Sequence, residues 1–153
     1  MRAIAAMAVT LALVAAPVQA AEDDDDGNGD GKKPVWRTLT SFFVSPESPH
    51  QNDVIRVLLH CPDAASHAIV GSTAFPIKGS WRTFREVGVG LTGRNFGRRG
   101  IIISRFAPPG HHEVRMKCVK VRIDRKKGIR KVKVISRASA SLTVRPFHIG
   151  QYF

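Results

Sequence analysis

The chain has 153 residues, 24 Lys and Arg against 12 Asp and Glu, a formal net charge of +12, and two cysteines. That length fits one domain with a modest core. The charge is divided unevenly: half of the acids fall within residues 22–30, so from Gly31 onward there are 23 basic against 6 acidic residues, a formal net of +17.

Residues 1–20 read as a secretory signal peptide. Arg2 supplies the positive start, 4–16 are apolar apart from Thr10, and Pro17 breaks the helix before the Val18-Gln19-Ala20 cleavage site. The apolar run is too short to span a bilayer, which takes roughly 20 residues. No cysteine follows the cleavage region to carry a lipid, and no later apolar stretch is long enough to stop transfer. The expected mature protein is secreted or extracellular, or held at the cell surface by contacts, with no transmembrane segment.

Residues 21–34 read as a disordered acidic linker that keeps the chain soluble. Asp26-x-Asn28-x-Asp30-Gly31 spells the first half of a calcium loop, but the twelfth position, which needs a bidentate acid, is Arg37. No metal is expected there.

From residue 35 the sequence becomes short apolar runs punctuated by Gly, Pro, Asn and Asp, with no sustained helical period. Strands are expected over 39–44, 54–61, 67–75, 81–89, 101–106, 112–123, 129–135 and 138–144, with turns at Asn52-Asp53 and 124–128. This spacing predicts an all-β fold, an antiparallel β-sandwich of seven or eight strands over 35–153. Within 112–123 the apolar positions change phase: Val114, Met116 and Cys118 are even, whereas Val119, Val121 and Ile123 are odd. A period of two changes phase only through a bulge or a bend, so one is expected at Cys118-Val119.

Cys61 and Cys118 both lie on expected strands. In an exported chain such a pair ordinarily forms a disulfide. A metal pair and a reactive thiol are the alternatives, and the absence of any CxxC spacing speaks against the first.

Ser45-Pro46, Val54-x-x-Val57-x-x-x-Cys61, Ser72-Thr73-Ala74-Phe75, Pro109-Gly110, Val114-x-Met116-x-Cys118 and Ala140-x-Leu142-x-Val144 together resemble a recurrent exported domain of actinobacteria. The resemblance covers roughly 39–144. It implies an immunoglobulin-like β-sandwich with a strand-B cysteine bridged to a strand-F cysteine. The chain departs from that pattern twice: Gln51-Asn52 stands where members carry Pro-Gly, and His111-His112 where they carry an aromatic. His112 is expected to fill a tyrosine's place, its ring packed over the corner. The resemblance brings no catalytic residue, because such domains serve as envelope and adhesion modules.

The strongest functional feature is the basic hairpin from Arg115 to Arg137. Arg115, Lys117, Lys120, Arg122, Arg125, Lys126, Lys127, Arg130, Lys131 and Lys133 are the expected polyanion-binding residues, with Asp124 the lone acid among them. Lys120 and Arg122 alternate with Val119, Val121 and Ile123, and Lys131 and Lys133 with Val132 and Val134, so each strand keeps its cations on one face. Concentrated positive potential attracts polyanions, which bind by releasing their counterions. The competing reading is an edge hairpin that uses Lys and Arg to prevent edge-to-edge pairing. No aromatic residue lies between Arg115 and Arg137, so base stacking is unsupported and no specific nucleic acid is expected. The expected partners are an anionic cell-wall polymer, an acidic polysaccharide or an anionic membrane surface.

Other signals are weaker. Gly88-x-Gly90-x-x-Gly93 spells a dinucleotide fingerprint, which needs a strand, this turn and then a helix. A Gly/Arg-rich stretch follows instead, so 93–100 is expected to be a mobile hairpin loop that adds to the basic surface. Histidines at 50, 60, 67, 111, 112 and 148 show none of the usual zinc spacings, and no GxSxG or comparable nucleophile motif is present. No catalytic residue, metal or cofactor is expected. The aromatic terminus, 146–153, is expected to pack back along the domain. The sequence therefore reads as an exported, non-enzymatic binding module attached through its basic hairpin to an anionic polymer or envelope surface. The alternatives are a structural or protein-interaction module of the envelope, and a small cationic inhibitor or antimicrobial protein.

Overall fold

Along strand β2 (Val54–His60), Ile55, Val57 and Leu59 are buried while Val54, Arg56 and Leu58 between them are exposed. This is the alternation of a strand with one face on a core. The structure, a computed structural model, describes residues 34–153; the expected signal peptide and acidic linker lie outside the described residues, Pro34 excepted. Strands β1 (Ser41–Ser45) and β5 (Phe96–Ile102) pair antiparallel on the two sides of β2, giving a sheet of order β1-β2-β5. A second antiparallel sheet has the order β4-β3-β6-β7, from β3 (His67–Ser72), β4 (Arg85–Gly90), β6 (Gly110–Asp124) and β7 (Ile129–Val144). Short 3-10 turns at Val35–Arg37 and Ile149–Tyr152 are the helical elements among the described residues.

The two sheets share one core. Ile55, Val57 and Leu59 of the first meet Val70, Val89, Met116 and Leu142 of the second, with Phe75 and Ile103 contributed by connections. The Cys61–Cys118 disulfide, with Cα atoms 5.7 Å apart, runs through this core and ties the end of β2 to β6. The cysteines are therefore paired with each other, and neither the metal nor the free-thiol alternative holds.

The phase change falls where the sequence places it. Cys118 lies opposite Ser136 but Val119 lies opposite Val134, so Ile135 is the extra residue of a bulge in β7. The bulge lets β7 run unbroken from Ile129 to Val144, where the sequence reading has two strands. Other boundaries also shift. The expected strands 67–75 and 81–89 shrink to β3 and β4, because Gly79 takes a φ of 75° between them and Trp81 stands 87% exposed. The expected mobile loop at 93–100 is a correction of kind: Phe96 to Gly100 belong to β5, paired with β2. Glycine permits this close approach, since a Cβ on Gly97 would meet Leu59 at 2.9 Å. Only a tight turn remains, with Asn95 at φ 58° and its N–H donating to the Thr92 carbonyl at 2.9 Å.

Side chains fix the corners. His112 Nε2 lies 2.7 Å from the Pro108 carbonyl and Nδ1 lies 2.7 Å from Thr73 Oγ1. A carbonyl only accepts, so Nε2–H is the donor to Pro108. The imidazole thus sits over the corner before β6, as the sequence leads one to expect. Gln51, at the other departure, donates from Nε2 to the Ala107 carbonyl at 2.6 Å and accepts from the Phe147 N–H at 2.9 Å. That bond docks the start of the C-terminal segment, while Phe153 at its end is fully exposed.

Candidate anion-binding hairpin

β3 accompanies β6 only as far as His67 opposite Val119. Beyond that point, among the described residues, β6 pairs only with β7, and the Val121 N–H donates to Ser66 Oγ at 3.0 Å. The pairs Lys120–Lys133, Val121–Val132, Arg122–Lys131, Ile123–Arg130 and Asp124–Ile129 therefore form a two-stranded ribbon. At the strand rise it reaches roughly 17 Å past the sheet.

The ten expected polyanion-binding residues separate into four groups. Arg115 and Lys117 lie on the near part of β6 and already have acids: Arg115 Nη2 is 2.7 Å from Glu113 Oε2, and Lys117 Nζ is 2.8 Å from Glu86 Oε1. Hydrogen bonding from Arg115 holds the Glu113 carboxyl below its usual range, and Glu113 in turn raises Arg115. Lys120, Arg122, Lys131 and Lys133 share one face of the far ribbon, paired directly across it as Lys120–Lys133 and Arg122–Lys131. Among the described residues none of these four forms an ion pair with an acid. Arg125, Lys126 and Lys127 occupy the exposed turn. Arg130 lies opposite Ile123, on the other face of the ribbon.

Asp124 does not offset this charge along the ribbon. Its Oδ1 accepts the Lys126 and Lys127 backbone N–H groups at 3.1 and 3.4 Å, and Gly128 closes the turn at φ 65°. Like charges directly opposite each other on a sheet are destabilising, by up to about 1 kcal/mol per pair. The far ribbon keeps two such pairs side by side.

A second surface was not anticipated. On the outer side of the first sheet, Phe43, Leu58 and Arg98 form one cross-strand row, and Val54 and Ile102 another. Phe43 is 66% exposed, and Leu58, Phe96 and Ile102 are exposed with it. Beside them a cavity of about 460 Å³ is lined by Trp36, Leu39, Ser41, His60, Arg94 and Phe96. His60 itself is buried, its Nδ1 2.8 Å from the Leu39 carbonyl and its ring 4.6 Å from that of Phe96. The signal was present in the sequence: Val54 to Leu59 is apolar on both faces except for Arg56.

The glycine fingerprint carries no site. Gly88 and Gly90 lie within β4, and a turn and strand β5 follow where a phosphate-binding helix would be required. Among the described residues no group of three or more His, Cys, Asp or Glu side chains could hold a metal ion. No helix among them is long and apolar enough to cross a membrane. No protein-family model matches the chain, and no curated protein matches it in sequence.

Proposed function

We propose that this protein is an exported binding module that attaches through the far part of its β6–β7 hairpin to an anionic polymer or envelope surface, without catalysis. The observation that carries this reading is the pair of opposed cation rows, Lys120–Lys133 and Arg122–Lys131, which among the described residues have no acid partner while Arg115 and Lys117 nearby have one each. An anion lying along the ribbon would turn that repulsion into attraction. The proposed architecture is an immunoglobulin-like sandwich. The sheet orders β1-β2-β5 and β4-β3-β6-β7 support it, as does a disulfide from the second strand to the sixth. The disulfide is also compatible with an extracellular protein.

Retention on heparin and on teichoic-acid resin across a salt series tests the attachment. Replacing Lys120, Arg122, Lys131 and Lys133 together with Ser should weaken retention and lower the slope of log affinity against log salt by roughly 3–4. Unchanged retention with an unchanged circular dichroism spectrum would reject the hairpin as the attachment surface.

A second reading, an envelope module that binds another protein, is favoured by the exposed apolar face of Phe43, Leu58, Phe96 and Ile102. Contiguous apolar surface of this kind marks interaction sites. Co-purification with a partner that survives high salt and is lost in Phe43→Ser/Leu58→Ser would move this reading ahead.

A further inference from the structure

The ribbon has a second face. Antiparallel partners share a face and alternate along each strand, so Val121, Ile123, Val132 and Val134 lie together opposite the four cations. Among the described residues no third strand or second sheet covers the outer part of this row: Ile123 is 69% exposed, Val132 50% and Val134 37%, while Val121, nearest the sheet, is half-buried. Sheet edges use Lys to prevent association, but that purpose does not call for an uncovered row of β-branched side chains on the reverse side.

Resting on the attachment reading above, we propose that the partner is an anionic lipid bilayer and that the ribbon lies in its interface. Val121, Ile123, Val132 and Val134 would enter the boundary of the acyl chains, while Arg125, Lys126 and Lys127 at the turn, and Lys120, Arg122, Lys131 and Lys133 on the upper face, reach the lipid phosphates of the headgroup layer around the ribbon. A soluble polyanion satisfies only the charged features. A bilayer satisfies both, because it presents negative headgroups and apolar chains within the width of one ribbon. Arg130, on the apolar face near the turn, is long enough to carry its guanidinium up to the headgroups while its methylenes stay in the apolar layer. The backbone fits the same placement. Each strand of the ribbon has its free edge on solvent, which is acceptable at the hydrated interface and would not be in the hydrocarbon centre. The ribbon therefore lies on the membrane and does not span it.

The test uses the full chain and two variants, so that residues outside the hairpin contribute equally to each. Binding is measured by co-sedimentation with phosphatidylcholine vesicles with and without phosphatidylglycerol, and on heparin. Ile123→Ser/Val132→Ser should lower affinity for the phosphatidylglycerol vesicles at least about tenfold, because two side chains lose their burial. Its heparin retention should stay at the wild-type value, since no charge is removed. Arg125→Ser/Lys126→Ser/Lys127→Ser should lose on both. Wild-type vesicle affinity in the double variant would overturn insertion and leave charge attachment standing. Heparin binding with no preference for phosphatidylglycerol vesicles would overturn the lipid partner and leave a soluble polymer. Loss of heparin retention in a folded double variant would also overturn the division of labour between the faces. Failure of the wild-type chain on both heparin and anionic vesicles would instead remove the attachment reading itself.

Discussion

Along β6 and β7 one hairpin passes through two environments. Over 110–119 its inward residues Val114, Met116 and Cys118, like Leu142 and Val144 of β7, are buried in the core shared with the other sheet, and its outward Arg115 and Lys117 are met by Glu113 and Glu86. Over 120–133 the alternation continues, but the other sheet has ended. Most side chains on both faces are exposed, and among the described residues no acid pairs with the cations there, Asp124 being engaged by the turn backbone. The contrast shows that alternation creates a core only where a second layer covers it. Among the described residues, the acids that pair with hairpin cations stand over its packed part, at Glu113 and Glu86.

The comparison can be broken most forcefully at its junction. The disulfide closes a separation of 57 residues, for which the chain-entropy relation gives about 4 kcal/mol. Cys61→Ala/Cys118→Ala should lower Tm by more than about 10 °C in thermal melts. A loss of only a few degrees would mean that the core holds the sheets without the bond. Next, a truncation placed on each side of the boundary should differ sharply. Leu142→Ala, fully buried, should cost about 3 kcal/mol in urea unfolding, and Val132→Ala on the open ribbon under about 0.5. Equal losses would show that the far ribbon packs on something.

The corner beneath β6 gives a smaller effect. His112→Ala removes bonds to Thr73 and Pro108 and should cost about 1 kcal/mol by chemical denaturation, mostly recovered by a side chain that restores the Pro108 bond. The smallest change has the opposite sign. Lys133→Glu places an acid opposite Lys120 and should stabilise the fold by a few tenths of a kcal/mol while weakening heparin retention. A variant that loses both stability and retention would show that the opposed cations are not the source of strain in the free protein.

Much of this was legible in advance. Period-two alternation identified β2 and the near part of β6, since burial on one face leaves that signature. The switch from Val114-Met116-Cys118 to Val119-Val121-Ile123 located the register shift, while the extra residue, Ile135, lies on the partner strand β7. The strand expected over 101–106 was misplaced: β5 runs from Phe96 to Ile102, because Gly97, Arg98, Arg99 and Gly100 have poor strand propensity and only pairing to β2 makes them a strand, while 103–106 lie outside it. For the site, the ten cations were visible but their sorting was not. Which of them face an acid depends on cross-strand register, and Glu86, which holds Lys117, comes from β4 without being adjacent in sequence. The apolar outer face of the first sheet was signalled only in part, by Val54 and Leu58 on β2, since Phe43, Phe96 and Ile102 join it from two other strands.

Cys118 lies one residue inside the point where β3 stops and the ribbon leaves the sheet. A ribbon held at its tip is a lever, and its load converges on that root. Hydrogen-bonded strands there would peel apart one pair at a time, because antiparallel partners pulled from one end open in sequence. Here the pull meets a covalent bond at the root and passes directly to β2, at the centre of the other sheet. The force is then shared by both layers of the core. A domain tethered by its hairpin in flowing liquid would lose its grip on the surface before its fold gave way.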